Sequence, residues 1–227
     1  MKPIVAVLCP MSSEFAAAEK AFGKLGETLE TVYEEKKIDF NGLDVILARC
    51  GVGKTFAAAK TQKIIQTYEP DHIFLCGVAG AISEKLDVFD VVVPDRIIHG
   101  DVRFVDTYNL TDVTDSSRPL FEGKPAFSEK GYLPERLNAP YTAGTLATID
   151  FFAEEKEKDF LEEQFNAVCI DMESAAVAQI STLWNIPFTI IRAMSDNRKH
   201  TLGDFETNAP KACAVAADAL LTLLKKI

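Results

Sequence analysis

The chain has 227 residues and a mass of 25.0 kDa, a length that one α/β domain can reach without splitting. Apolar residues make up 48% and charged residues 26%, ordinary globular values that exclude collagen, coiled coil and wholesale disorder. Lys plus Arg number 24 against 34 Asp plus Glu, a formal charge of −10, so no nucleic-acid partner is expected.

In chain order, Ile4-Val5-Ala6-Val7-Leu8-Cys9 is a short, β-branched, two-sided apolar run and predicts a buried strand ended by Pro10. Ser12-Ser13-Glu14 opens a predicted helix to about Leu25, with serine as its capping chemistry. Residues 30–35 and 36–40 read as half-buried strands, and Asn41-Gly42 turns the second into another over 43–50. Gly51-Val52-Gly53 breaks that strand, and residues 54–68 have helical spacing. Residues 72–76 predict a buried strand followed by the glycine segment Gly77-Val78-Ala79-Gly80, and 88–93 predict another strand. Residues 105–140 hold Tyr, Asn, Asp, Ser, Pro and Gly with weak periodicity, which suits a long loop or insertion. Further strands are predicted over 142–147, 167–171 and 188–193, with helices over 173–184 and 205–226. The alternation points to one domain over 1–227. Its expected form is a three-layer α/β fold with a central mixed, twisted sheet flanked by helices.

Five cysteines (Cys9, Cys50, Cys76, Cys169, Cys213) are odd in number, lack a CxxC pair and sit largely in apolar runs, so reduced, buried thiols are expected. The histidines (His72, His99, His200) show no metal-ligand spacing, and neither metal nor cofactor is expected. No apolar run approaches the ~18 residues of a membrane span. The apolar stretch 4–11 is followed closely by Glu14 and Glu19, which suits a first strand better than a secretion signal. A cytoplasmic protein without a membrane partner is the expectation.

In open α/β sheets ligands sit just beyond the carboxyl ends of strands. Three predicted strand ends each deliver a carboxylate there: Glu14, Glu173 and Asp196. The two glycine segments occupy the same kind of position, where they leave room for a ligand and let backbone amides approach it. Singly, Glu14 and Glu173 also suit the first turn of a helix, and Asp196 a loop or cap. Gly51-Val52-Gly53-Lys54-Thr55 looks like the end of a P-loop, but the glycine required five residues before Gly53 is Ala48. Lys54 then reads as a solvated first-turn residue.

At these residues the sequence resembles the nucleoside phosphorylase superfamily, and within it the 5′-methylthioadenosine/S-adenosylhomocysteine nucleosidases. The matching segments are Met11-Ser12-Ser13-Glu14, Gly51-Val52-Gly53-Lys54, Cys76-Gly77-Val78-Ala79-Gly80 and Thr148-Ile149-Asp150-Phe151-Phe152. Asp171-Met172-Glu173-Ser174-Ala175-Ala176 and Arg192-Ala193-Met194-Ser195-Asp196 complete the set, in the family's order. The resemblance implies hydrolysis of the bond between ribose and adenine through an oxocarbenium-like transition state. It implies Asp196 as general acid at purine N7, protonated at the reacting moment, which burial would favour. Ser195 is expected to orient Asp196, Glu14 to be the general base for water, and Arg192 to help place that water. Glu173 is expected on the ribose hydroxyls, Met172 against the sugar, Phe152 stacked on adenine, and main-chain groups of Phe152 and Ala153 on the base edge. Met11, Val52 and Phe205 match positions lining an apolar 5′ groove, completed by Val102 and Phe104 of a second subunit, which implies a homodimer. Val78 stands where the family often has a serine near the ribose. Alternatives on this fold are a purine nucleoside phosphorylase, a hydrolase of another modified nucleoside such as futalosine, or a non-catalytic nucleoside binder. Arg49, Arg96 and Arg103 could serve a phosphate, but after the first strand stands Glu14, which suits water better.

Overall fold

The computed structural model describes residues 2–23, 26–30, 34–102, 119–121, 124–125, 141–198 and 202–226. The first strand, β1 (Ile4–Cys9), leads into α1 (Ser12–Ala21), and β2 (Glu27–Glu30), β3 (Glu35–Phe40) and β4 (Leu43–Arg49) form an antiparallel meander. Then follow α2 (Lys54–Tyr68), β5 (His72–Ala81), β6 (Val91–Val92) and β7 (Arg96–His99). Two short strands, β8 (Pro119–Phe121) and β9 (Lys124–Pro125), pair with each other in a separate ladder. The chain closes with β10 (Thr145–Thr148), α3 (Glu155–Phe165), β11 (Ala167–Asp171), α4 (Ser174–Leu183), β12 (Phe188–Asp196) and α5 (Leu202–Leu224).

Ten of the described strands form one sheet, in the order β2-β3-β4-β1-β5-β11-β10-β7, with β12 on β5 and β6 on β12. It is mixed: β1 runs parallel to β4 and β5, and β12 parallel to β5, while β11 meets β5 antiparallel. The period of two sorts side chains to opposite faces. Ala6 and Leu8 of β1 join Ala57, Ile64 and Ile65 of α2 and Val177 of α4. Val5, Val7 and Cys9 join Phe15 and Ala18 of α1 and Ala212, Ala216 and Leu220 of α5. Helices therefore cover both faces, and a smaller cluster under α3 gathers Ile82, Ile98, Ile149, Leu161 and Phe165. All five cysteines are buried free thiols. Among the described residues no helix is long and apolar enough to cross a membrane.

Several sequence expectations are corrected. Helix α1 ends at Ala21, because Gly23 takes φ +69. Its N-cap is Met11, whose N–H donates to Glu14 Oε2 at 2.6 Å, so the serines lie inside the first turn and a carboxylate does the capping. The strand expected over 30–35 lies at Glu27–Glu30 instead. Strand β5 runs on through Gly77–Gly80, and β12 through Met194 to Asp196 with a bulge, so neither motif is a loop. Helix α3 and strand β7 were not expected. Part of the stretch 105–140, which reads from sequence as a long loop or insertion, holds the β8–β9 ladder; the remainder lies outside the described residues.

Candidate active site

The site begins at a seam in the sheet. Strand β1 pairs with β5 as far as Leu75, and β11 pairs with it again only from Gly80. Between them a main-chain donor of β5 is left for a side chain, and Val78 N–H donates to Glu14 Oε1 at 2.8 Å. Gly77 makes this approach possible: a Cβ there would run into Glu14 Oε1 and stand 2.5 Å from Arg192 Nη1. A Cβ at Gly80 would stand 2.9 Å from Asp196 Oδ2. Gly77 thus makes room for the protein's own carboxylate and guanidinium, while Gly80 lies both against Asp196 and on the cavity wall.

Arg192, on the middle of β12, is fully buried. Its Nη2 donates to Asp171 Oδ2 at 2.5 Å and to Glu173 Oε2 at 3.0 Å, while Nη1 lies 3.9 Å from Glu14 Oε1. Burial opposes the guanidinium's charge, but Asp171, Glu173 and Glu14 outweigh it and raise its pKa. Among the described residues Nε and Nη1 have no hydrogen-bond partner, an uncommon state for buried donors. Asp171 is held by Thr148 Oγ1 (2.6 Å) and by the N–H and hydroxyl of Ser174. Sequence reasoning quoted Asp171 in its motif but assigned it no place in the site; an aspartate closing a buried apolar strand was the available signal. Glu173 is the N-cap residue of α4, and its Oε1 accepts Gly53 N–H at 2.9 Å. Burial pushes the Glu173 carboxyl up to about 7 against the pull of Arg192, and burial likewise raises Glu14.

A cavity of about 240 Å³ opens beside this network. Met11, Val52, Val78 and Phe205 supply apolar wall, and Met172 and Glu173 lie on the wall formed after β11. Phe152 and Ala153 line it together with Phe151, and Phe152 meets Phe205 edge-on at 6.1 Å between ring centroids. Ser195 and Asp196 are its buried polar end; Ser195 Oγ lies 2.9 Å from Asp196 Oδ1 and 3.2 Å from the Ala79 carbonyl oxygen. Glu14 and Arg192 stand behind the wall and meet it through the Val78 amide and the Glu173 carboxylate. Lys158, Ile170 and Asp171 also line the cavity and were not anticipated. Val102 is not on this wall, and Phe104 lies outside the described residues. Lys54 is not solvated: its ammonium is 2.5 Å from Asp101 Oδ1 and 3.5 Å from Asp150 Oδ2. With Gly53 N–H bound to Glu173, the amide that a P-loop would offer to phosphate is already taken.

A fold whose sheet seam holds buried carboxylates and one arginine beside an apolar cavity defines a class. The model of the phosphorylase superfamily matches residues 4–225, and the chain belongs to that superfamily. Its relatives include the 5′-methylthioadenosine/S-adenosylhomocysteine nucleosidase of Hydrogenovibrio crunogenus, 30% identical over 97% of each chain. The Neisseria meningitidis nucleosidase of the same name, solved with methylthio-immucillin-A, is 25% identical with a TM-score of 0.82 over all of both chains. Futalosine hydrolase of Helicobacter pylori has a TM-score of 0.87 at 20% identity, over 100% of this chain and 99% of that one, a likeness of fold.

Proposed function

We propose that this chain is a nucleosidase that hydrolyses the N-glycosidic bond of 5′-methylthioadenosine and S-adenosylhomocysteine, releasing adenine and the 5′-thio-substituted ribose. One observation carries hydrolysis over phosphorolysis. The Glu14 carboxylate occupies the open Val78 amide, and Glu173 occupies that of Gly53, so the main-chain donors a phosphate would need already hold negative groups. A neutral water, unlike phosphate, is not repelled by these carboxylates.

The reaction then runs as follows. Asp196, carrying a proton, gives it to adenine N7 as the C1′–N9 bond breaks. The Ser195 hydroxyl has one proton for two neighbouring acceptors. Donated to Asp196 Oδ1, it fixes that carboxyl and leaves the acid proton on Oδ2 for N7. The water oxygen bonds to C1′ and its proton passes to Glu14, whose raised pKa makes it the better base. Glu173 binds the ribose hydroxyls and its charge favours the cationic sugar. Phe152 stacks on the base with main-chain groups of Phe152 and Ala153 at its edge, and Met172 packs on the sugar. Met11, Val52, Val78 and Phe205 form the 5′ groove. Its apolar surface suits a thioether and penalises a 5′-phosphate. A second copy of the chain completes the groove through Val102 and Phe104, and the buried free thiols support a reducing, cytoplasmic setting.

The test is base release from methylthioadenosine, S-adenosylhomocysteine and futalosine, with and without phosphate. Adenine and free 5-methylthioribose, formed equally in both conditions, are expected. A sugar 1-phosphate would make the protein a phosphorylase, and turnover of futalosine alone would move the substrate. Asp196→Asn is expected to lower kcat by ~10³ or more with an unchanged melting temperature.

A further inference from the structure

Lys54 does not line the cavity and takes no part in the chemistry above, yet two cavity-forming segments, those of Val52 and of Phe151–Ala153, meet at it together with Asp101 from beyond the cavity. Helix α2 starts at Gly53, which has no side chain to cap it. Asp150, from the loop after β10, supplies the acceptor: its Oδ1 takes Lys54 N–H at 3.0 Å. Asp101, just after β7, takes the Lys54 ammonium on Oδ1 (2.5 Å) and Asp150 N–H on Oδ2 (2.9 Å). Two carboxylates are thus bridged by one ammonium and one amide. The lysine side chain is 16% exposed and that of Asp101 20%, so this pair is less screened than on open surface, whereas Asp150 is 49% exposed.

We propose that Lys54 is a positioning residue that fixes the base wall of the cavity against its sugar end. The connection is short in both directions. The residue before Lys54 donates its N–H to Glu173, and the residues after Asp150 are Phe151, Phe152 and Ala153 of the wall. Glu173, Gly53, Lys54, Asp150 and Phe151 therefore form one chain of single bonded steps from the sugar carboxylate to the base. Without the ammonium, Asp101 and Asp150 confront each other with uncompensated charge, and the loop carrying the wall moves away. What the two walls bind rests on the nucleosidase reading.

The test is Lys54→Met, which keeps the stem and deletes the charge. KM for methylthioadenosine is expected to rise about tenfold, and calorimetric affinity for adenine to fall about as much, with kcat within about threefold of wild type. Asp150→Asn retains an oxygen to cap α2 and removes one of the opposed charges. Added to Lys54→Met, it is expected to bring KM and adenine affinity back to within about threefold of wild type, a rescue that a merely structural stem would not show. Unchanged KM and adenine affinity in Lys54→Met, or a defect that Asp150→Asn leaves or worsens, overturns the proposal. If Lys54→Met does not fold, Lys54→Gln carries the test; the same rise in KM at constant kcat is expected, and its absence is equally fatal. Adenine affinity is read without turnover. Absent hydrolysis in the wild-type protein therefore counts against the nucleosidase reading alone, and unaltered adenine affinity in the variants counts against the clamp alone.

Discussion

Gly77 lies in a strand, where glycine ordinarily costs stability, and its lack of a side chain is what lets Glu14 and Arg192 cross β5. Neither neighbour can retreat from an added methyl group. Glu14 is fixed by the amides of Met11 and Val78, and Arg192 by Asp171 and Glu173. Gly77→Ala is therefore expected to destabilise the protein by about 1–3 kcal/mol. It is also expected to lower kcat by ~10² or more, since the displaced groups are the proposed base and its neighbour. Thermal melts and steady-state kinetics measure both; a variant matching wild type in each would show that the methyl group is accommodated. The acids Glu14, Glu173 and Asp196 could be picked out in the sequence because each follows an apolar run. Arg192 and Asp171 are less legible on local grounds, since both lie inside runs that read as buried strand, and a charge there makes sense only once its distant partners are known.

Between elements, β3 is pinned to α2 by Glu35, which accepts from Lys60 (2.5 Å), Lys63 (2.7 Å) and the Tyr68 hydroxyl (2.7 Å). Burial works to raise its pKa, but these three donors outweigh it and hold the carboxyl down at about 2. The unfolded value is about 4.3. Above that pH the ionised form contributes its full stabilisation. As pH falls towards about 2 the unfolded chain binds the proton more readily, and the contribution is lost. Glu35→Gln is expected to cost ~1–3 kcal/mol at neutral pH and to flatten the decline of melting temperature between about pH 4.5 and 2, with kcat unchanged. Melts across that range check it; a variant that declines as steeply as wild type would remove Glu35 as the cause. Elements with strong periods were the legible ones: β1 and α2 have the bounds expected from sequence. Helix α3 was missed because it buries little beyond Lys158, Leu161 and Phe165 and otherwise presents charge, so no broad apolar stripe marks it. Strands β5 and β12 run longer than expected because the glycines and the final aspartate, which look like strand breakers, are held by pairing with each other: Gly80 sits opposite Asp196.

For the molecule as a whole, Val52, Phe56, Phe151 and Phe152 are each close to half exposed or more, and three of them also line the cavity. Apolar rims of this kind mark surfaces that another molecule covers. Sedimentation is expected to give about twice the chain mass of 25.0 kDa. Phe56→Glu is expected to shift it towards the single chain, with KM raised about fivefold or more. A fully active single chain at micromolar concentration would contradict this. Mixed-sheet architecture was legible from the alternation of elements, whereas the junction of β1, β5 and β11 was not, because strand order depends on pairings between distant segments. That junction has an evolutionary consequence. Glu14 and Glu173, the proposed base and ribose binder, are each tethered by a peptide N–H, from Val78 and from Gly53. Exchanging the side chain at Val78 for anything but proline leaves its donor in place. The surrounding lining can drift toward new nucleosides while the reactive centre stays anchored to the backbone.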